Sequence, residues 1–222
     1  TYSQELEDKT QDLELLDSKL QEIESQMSIV LDANQSPIER AKVAAITMSN
    51  RTYMLKVMPS GPPLKEAFVT SSFGYRIHPT LKVRQFHRGI DFRASTGTPV
   101  YSTADGIVVE ANNTIGGPFG RVLTIMHNYG FETVYGHLSK INVKIGQVVS
   151  KGDLIALTGN TGRSSGPHLH YEVKFAGQRL NPAPFVNWDM AKYENVFEQE
   201  RSVPWDYLIN LIETQNKIIA QQ

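Results

Sequence analysis

The chain of 222 residues contains no cysteine. Disulfides and thiolate metal sites are therefore excluded, and any metal centre must be built from histidine and carboxylate. No apolar run approaches the ~20 residues of a transmembrane helix, and no secretory signal pattern opens the sequence. Thr1 falls inside a helical pattern, so targeting information is expected to lie outside this sequence. An excess of one charge is also missing: 22 basic side chains face 23 acidic ones, too dispersed a set for nucleic-acid binding. The near-neutral total hides a division. Residues 1–35 hold nine Asp or Glu against two Lys, whereas the other 187 residues hold fourteen acidic and twenty basic side chains. An acidic arm on a mildly basic body points to different partners for each part.

The arm carries a heptad. Leu6, Leu13, Leu20 and Met27 are spaced by seven, with Leu16, Ile23 and Val30 at the companion positions. Such spacing predicts a coiled-coil helix, which cannot bury its stripe alone. Ser36, Pro37 and Glu39 read as a capping box opening a second helix from Pro37 to about Val57. The partner stripe is expected from this helix, in an intrachain hairpin, or else from a homodimer or another coiled-coil protein. Pro59-Ser60-Gly61-Pro62-Pro63 reads as a linker. From Phe68 to about Val173 short β-rich runs alternate with glycine, as in Gly106–Glu110, Arg121–Met126 and Thr133–Tyr135. Turn signals every eight to twelve residues predict a compact antiparallel β domain. Trp205, Leu208, Ile209, Ile212 and Ile219 mark the apolar face of a last helix beginning near Pro204.

All six histidines lie between His78 and His170. His168 and His170 are two apart, so on a strand both imidazoles face one cleft while Leu169 enters the core. His87 and Asp91 flank Gly89; the alternation Ile90, Asp91, Phe92 favours a loop entering a strand, although a spacing of four also suits a helix. Two imidazoles and one carboxylate make a common open zinc set, with a turn carboxylate as the plainer reading of Asp91. Tyr135 and His137 are expected to share a strand face. His78 and His127 read as structural or peripheral. Arg76 is a candidate for contact with substrate carboxylates, or a solvated loop arginine.

Four ordered blocks then stand out: His87-Arg88-Gly89-Ile90-Asp91-Phe92, Gly97-Thr98-Pro99-Val100, Tyr135-Gly136-His137-Leu138, and the run from Gly159 to Val173 holding His168-Leu169-His170. Together they resemble the lysostaphin/LytM-type zinc metallopeptidases, peptidase family M23. The resemblance implies zinc held by His87, Asp91 and His170, with His137 and His168 as paired catalytic histidines. It also implies a substrate among the peptide cross-links of bacterial peptidoglycan. In that reading zinc acidifies a water, His168 takes the proton, and His137 steadies the oxyanion or shares the proton traffic. Thr80–Phe86 lacks a tyrosine found in some staphylococcal members, which argues against their glycine-bridge specificity. The helical arm looks more like Gram-negative envelope members that cut D-amino-acid cross-links.

The expected fold class is α+β: an antiparallel β-sheet-rich LytM-type domain with an N-terminal helical hairpin or coiled coil and a C-terminal helix. Its divisions are 1–58 helical, 59–67 linker, 68–186 zinc peptidase, and 187–222 helical extension. The expected function is wall remodelling by a zinc D,D-endopeptidase in the periplasm, anchored to the inner membrane through a segment outside this sequence. The alternative is a non-catalytic scaffold or activator of another hydrolase. The charge division adds the expectation that the acidic arm lies over the groove and restrains the enzyme.

Overall fold

The computed structural model describes residues 2–77 and 83–219. Two helices open the chain, α1 (Tyr2–Met27) and α2 (Pro37–Val57). The capping box is formed: Ser36 Oγ accepts from the Glu39 amide at 3.3 Å, and Glu39 Oε2 accepts from the Ser36 amide at 2.9 Å. These bonds satisfy amides that the first turn of a helix otherwise leaves unpaired. The helices pack against each other within the chain. Arg40 pairs with Asp17, and Arg51 donates to the Met27 carbonyl, so contacts advance along both helices in the same direction. The connector accordingly runs back along α1, and its Leu31 joins Leu20 and Ala44 in a small core. Leu13, one turn of the heptad earlier, stays exposed.

The body is a ten-stranded antiparallel sheet. Its central path runs β1 (Val69–Ser71), β4 (Ile90–Arg93), β11 (His168–Phe175), β8 (Phe131–Ile141), β7 (Arg121–His127), β6 (Gly106–Asn112), β9 (Val148–Val149). β5 (Pro99–Tyr101) pairs with β10 (Leu154–Thr158), which also pairs with β8; β12 (Gln178–Leu180) pairs with β11. A separate hairpin, β2 (Gly74–Ile77) and β3 (Arg84–His87), stands beside β4. The glycine-punctuated, β-branched texture gives these short strands, and the period of two sends Ile90, Phe92, Leu169, Tyr171 and Val173 into the core.

Beyond the sheet come two short helices, α3 (Ala183–Val186) and α4 (Asn195–Gln199), then α5 (Trp205–Ile219). Trp188, Trp205, Leu208 and Ile212 bury against Phe131 and Phe185, and the C-terminal end of α2 joins them through Met54, Val57 and Met58. The Pro/Gly segment after α2 is no loose tether. The Ser60 amide donates to the Thr103 carbonyl at 3.1 Å and the Gly61 amide to the Phe185 carbonyl at 3.0 Å. Lys151 Nζ caps the Leu55 and Ser60 carbonyls, each at 2.7 Å. The C-terminal end of α2, the strap and the C-terminal extension thus share one core with the sheet, while α1 packs in its own small cluster on α2.

Helices α2 and α5 join that core at one end of the sheet strands. Tyr53 of α2 and Gln215 of α5 both reach the Tyr129 hydroxyl, in the turn just before β8. His137 lies six residues beyond Phe131, the first residue of β8, roughly 20 Å away at the usual strand rise. No helix among the described residues is long and apolar enough to cross a membrane.

Candidate metal centre and its histidines

β4 and β11 are neighbours in register, with Asp91 opposite His170 and Ile90 opposite Tyr171. Antiparallel partners directly opposite share a face, so Asp91 and His170 emerge side by side. His87, at the end of β3, enters through the turn His87-Arg88-Gly89. The turn fits because Gly89 has no side chain: a Cβ there would sit 2.3 Å from the Tyr171 carbonyl oxygen and 2.9 Å from His170 Cε1. The glycine lets the turn lie against β11, and the loop-into-strand reading of this motif holds over the helical one.

Three atoms converge. His170 Nδ1 is 2.8 Å from Asp91 Oδ1, His87 Nε2 is 3.1 Å from the same oxygen, and the two nitrogens are 3.2 Å apart. All three residues are buried, and among the described residues this is the His/Asp/Glu group able to hold a metal ion. The far edge of each ring is committed. His87 Nδ1 donates to the Ser72 carbonyl at 2.8 Å, and His170 Nε2 donates to Glu172 Oε1 at 3.2 Å. A carbonyl or carboxylate oxygen only accepts, so both ring edges facing Asp91 present lone pairs. With neutral rings, two lone pairs and a carboxylate pointed at one spot suit a cation. For zinc bonds of about 2.0–2.1 Å, tetrahedral ligand atoms lie roughly 3.3 Å apart, close to the observed triangle. The donor set fits zinc.

Electrostatics agree. Where a proton takes the cation's place between the rings and Asp91, burial pushes the carboxyl up, but the hydrogen bonds then donated by His170 and His87 outweigh it and hold it below the usual carboxylate range. Asp91 is therefore an anion, the form a metal would need. Arg76, on β2, donates to Ser71 Oγ at 2.5 Å and stands 4.0 Å from Asp91 Oδ2 with its guanidinium partly exposed.

His137 and His168 flank the cluster. Their ring centroids are 4.6 Å apart, and His168 Nε2 is 3.7 Å from Asp91 Oδ1. His137 Nδ1 donates to the Thr161 carbonyl and His168 Nδ1 to the Gly166 carbonyl, both at 2.8 Å. Each therefore offers an unprotonated Nε2 to the cleft. Burial pushes His137 down to about 4, the neighbouring His168 and His170 add to the drop, and the Thr161 carbonyl opposes it. His137 is neutral at neutral pH.

One strand expectation needs correction. Tyr135 and His137 do not share a face. Tyr135 pairs with Tyr171 and buries its hydroxyl beside Thr103 and Thr133. His137 escapes that face because its φ is 59°, a left-handed value that breaks the alternation and turns the imidazole toward His168. His127 is structural, with Nδ1 on the Asp105 carbonyl and Nε2 on Thr133. His78 lies outside the described residues, as do Thr80, Leu81 and Lys82.

Several contributors were not singled out from the sequence. Phe119 stacks on His170, with centroids 5.3 Å apart and planes at 26°. Ser72, Thr161 and Gly166 act through backbone carbonyls, which carry no side-chain signal. Glu172 had a signal: His168, His170 and Glu172 follow the same period of two.

Comparison with known proteins gives a consistent result. The profile described as "Peptidase family M23" matches residues 85–182. The chain is 49% identical over 107 residues to the peptidoglycan DD-endopeptidase ShyA of Vibrio cholerae, covering 48% of this chain and 24% of that protein. The crystal structure of a zinc-containing peptidase from Vibrio cholerae is 39% identical with a TM-score of 0.50, over 61% of this chain and 40% of that one. A catalytic-domain variant of the prophage-encoded M23 protein EnpA from Enterococcus faecalis is 33% identical with a TM-score of 0.50, over 56% of this chain and 95% of that domain. The chain spans about a quarter of the length of the curated relatives it matches.

Proposed function

The chain belongs to peptidase family M23, and from that membership we propose that it is a zinc-dependent D,D-endopeptidase that hydrolyses peptide cross-links of peptidoglycan during wall remodelling. The observation that carries the reading is the convergence of His87 Nε2, Asp91 Oδ1 and His170 Nδ1 with the free Nε2 atoms of His137 and His168 beside them. The names of similar proteins supply the substrate class.

In this reading His87, Asp91 and His170 hold Zn2+. When bound, the ion supplies Lewis acidity that polarises a peptide carbonyl and makes water acidic enough to react near neutral pH. His168 is the more exposed of the two flanking histidines, and its Nε2 accepts the water proton and returns it toward the leaving amine. His137 presents an acceptor as well, so it steadies an oxyanion only after taking a proton at Nε2. Its depressed basicity favours a secondary part in the proton traffic. Phe119 covers the His170 ring and limits water on that side. Arg76, half open to solvent beside Asp91, is the substrate-facing cation.

The scaffold alternative has no observation in its favour, since the whole ligand set and both histidines are present. Occlusion of the groove by the arm is not favoured by its packing: α1 lies on α2, and α2 meets the body at Tyr129, Asp105 and Glu194. The exposed Leu13 leaves the first turns of α1 available to a coiled-coil protein or a second copy. A peptidoglycan substrate fits a protein of the periplasm or envelope.

Digestion of purified sacculi tests the reading. The protein should release cross-link products, a chelator should abolish release, added zinc should restore it, and His170→Ala should be inactive. A folded, zinc-loaded protein that frees no product would overturn the assignment.

A further inference from the structure

The metal-facing side of the cluster is accounted for by the three ligands, yet the far side holds a second ionic assembly that no part of the reaction uses. Glu172 lies two residues beyond His170 on β11, on the same face, and is 1% exposed. Its two oxygens are divided. Oε1 accepts from His170 Nε2 at 3.2 Å, and Oε2 accepts from Arg179 Nε at 3.0 Å. Arg179 comes from β12, whose register sets it opposite Lys174, one step along the same strand pair. A carboxylate this deep is costly unless it is paired and hydrogen-bonded, and here both conditions are met by one arginine and one imidazole.

We propose that Glu172, clamped by Arg179, is the positioning residue that makes His170 a metal ligand through Nδ1. The inference rests on the metallopeptidase reading above. A neutral imidazole carries one N–H, and either nitrogen can hold it. The Glu172 carboxylate can only accept, so it draws the proton to Nε2 and leaves the Nδ1 lone pair aimed at Asp91 and His87. The same bond fixes the ring's rotation and raises the basicity of the coordinating nitrogen, as outer carboxylates do for metal-bound histidines generally. Arg179 keeps the carboxylate from swinging, because its Nε–H holds the second oxygen from a neighbouring strand. His87 achieves the equivalent result with a backbone carbonyl, that of Ser72, and so has no comparable side chain to lose.

Glu172→Gln is the informative change because it keeps shape and removes obligate acceptance. If the amide oxygen still meets His170, the NH2 group must face the Arg179 Nε–H, donor against donor. If the amide turns over, its NH2 faces His170 Nε2 and favours the tautomer whose Nδ1 carries the proton, which cannot bind a metal. Either way the zinc site is weakened.

Zinc dissociation constants of wild type, Glu172→Gln and Arg179→Met would be measured by competition with a chromophoric chelator, beside melting temperatures of the zinc-free proteins. The expected result is a loss of zinc affinity of about 10–100-fold for Glu172→Gln and a smaller loss, at least threefold, for Arg179→Met, with zinc-free melting little changed. A merely structural role would lower zinc-free melting and leave the affinity alone. Affinities within threefold of wild type overturn the inference. Should Glu172→Gln fail to fold, Arg179→Met, on a partly exposed side chain at the sheet edge, decides by the same criterion. Failure of the wild type itself to bind zinc would instead refute the metallopeptidase reading.

Discussion

Gly89→Ala is a one-carbon change that reaches all three residues of the proposed metal site. The added Cβ would lie 2.3 Å from the Tyr171 carbonyl oxygen, 3.0 Å from its carbonyl carbon and 2.9 Å from His170 Cε1. An ordinary carbon–oxygen contact is about 3.3 Å or more, so the turn must retreat by roughly 1 Å. Gly89 has no left-handed φ, so the cost is one of space and not of backbone strain. β11 cannot yield easily, because Tyr171 pairs with Ile90 and His170 with Asp91 in the same ladder. The displacement therefore falls on the segment carrying His87 and Asp91, relative to His170. Metal sites tolerate about 0.2 Å in ligand distances, and even the loss of an outer partner of a metal-bound histidine costs about 10–100-fold in affinity. Zinc affinity should thus fall by about 100-fold, and overpacking should cost about 1–3 kcal/mol of stability. Chelator competition measures the first and urea unfolding of the zinc-free protein the second. A Gly89→Ala protein with wild-type zinc affinity and wild-type unfolding would refute the close-approach argument.

Three further outcomes follow from features away from the metal. Burial pushes His127 down to about 4 from an ordinary 6.5, against the Asp105 carbonyl bond, so between those values the unfolded chain binds a proton that the folded chain refuses. Stability complete above pH 6.5 is then lost as the pH falls toward 4, by about 3 kcal/mol; His127→Gln should flatten that part of the unfolding profile, and an unaltered slope would contradict the assignment. Lys151→Met leaves the Leu55 and Ser60 carbonyls without their cation and should cost about 1–2 kcal/mol, read as a lower melting temperature; no change would mean that water replaces the ammonium. Deleting residues 1–35 should leave sacculus digestion within about twofold, whereas deleting 1–58 strips Met54, Val57 and Met58 from the core and should destabilise the fold severely. A tenfold rise in digestion after the shorter deletion would revive restraint by the acidic arm.

Much of the fold was legible because its signals are local. The Ser36-Pro37-Glu39 box placed the start of α2, and glycine-separated β-branched runs announced β6, β7 and β8. The relation between the first two helices was not local: a heptad says that a stripe needs a partner, but not in which direction that partner runs. The Pro/Gly segment illustrates the same limit. Its composition forbids regular structure, yet whether it hangs free or is pinned depends on Thr103, Phe185 and Lys151, all distant in the chain.

By itself the sequence determined which chemistry is available. Without cysteine a metal site must use imidazole and carboxylate, and the period of two along His168-Leu169-His170 puts two imidazoles on one face. Spacing makes His87, Asp91 and His170 a plausible metal set, and the resemblance of the four ordered blocks to family M23 is what implies the assignment. Only the tertiary structure decided how those groups act. Which nitrogen of each histidine is free depends on Ser72, Thr161, Gly166 and Glu172, and each bond reaches across a turn or along a strand to a place that folding fixes. His137 faces the cleft through a left-handed backbone angle that strand periodicity does not foresee. Residue types are set by covalent order, but lone pairs are aimed by partners, and partners are chosen by the fold.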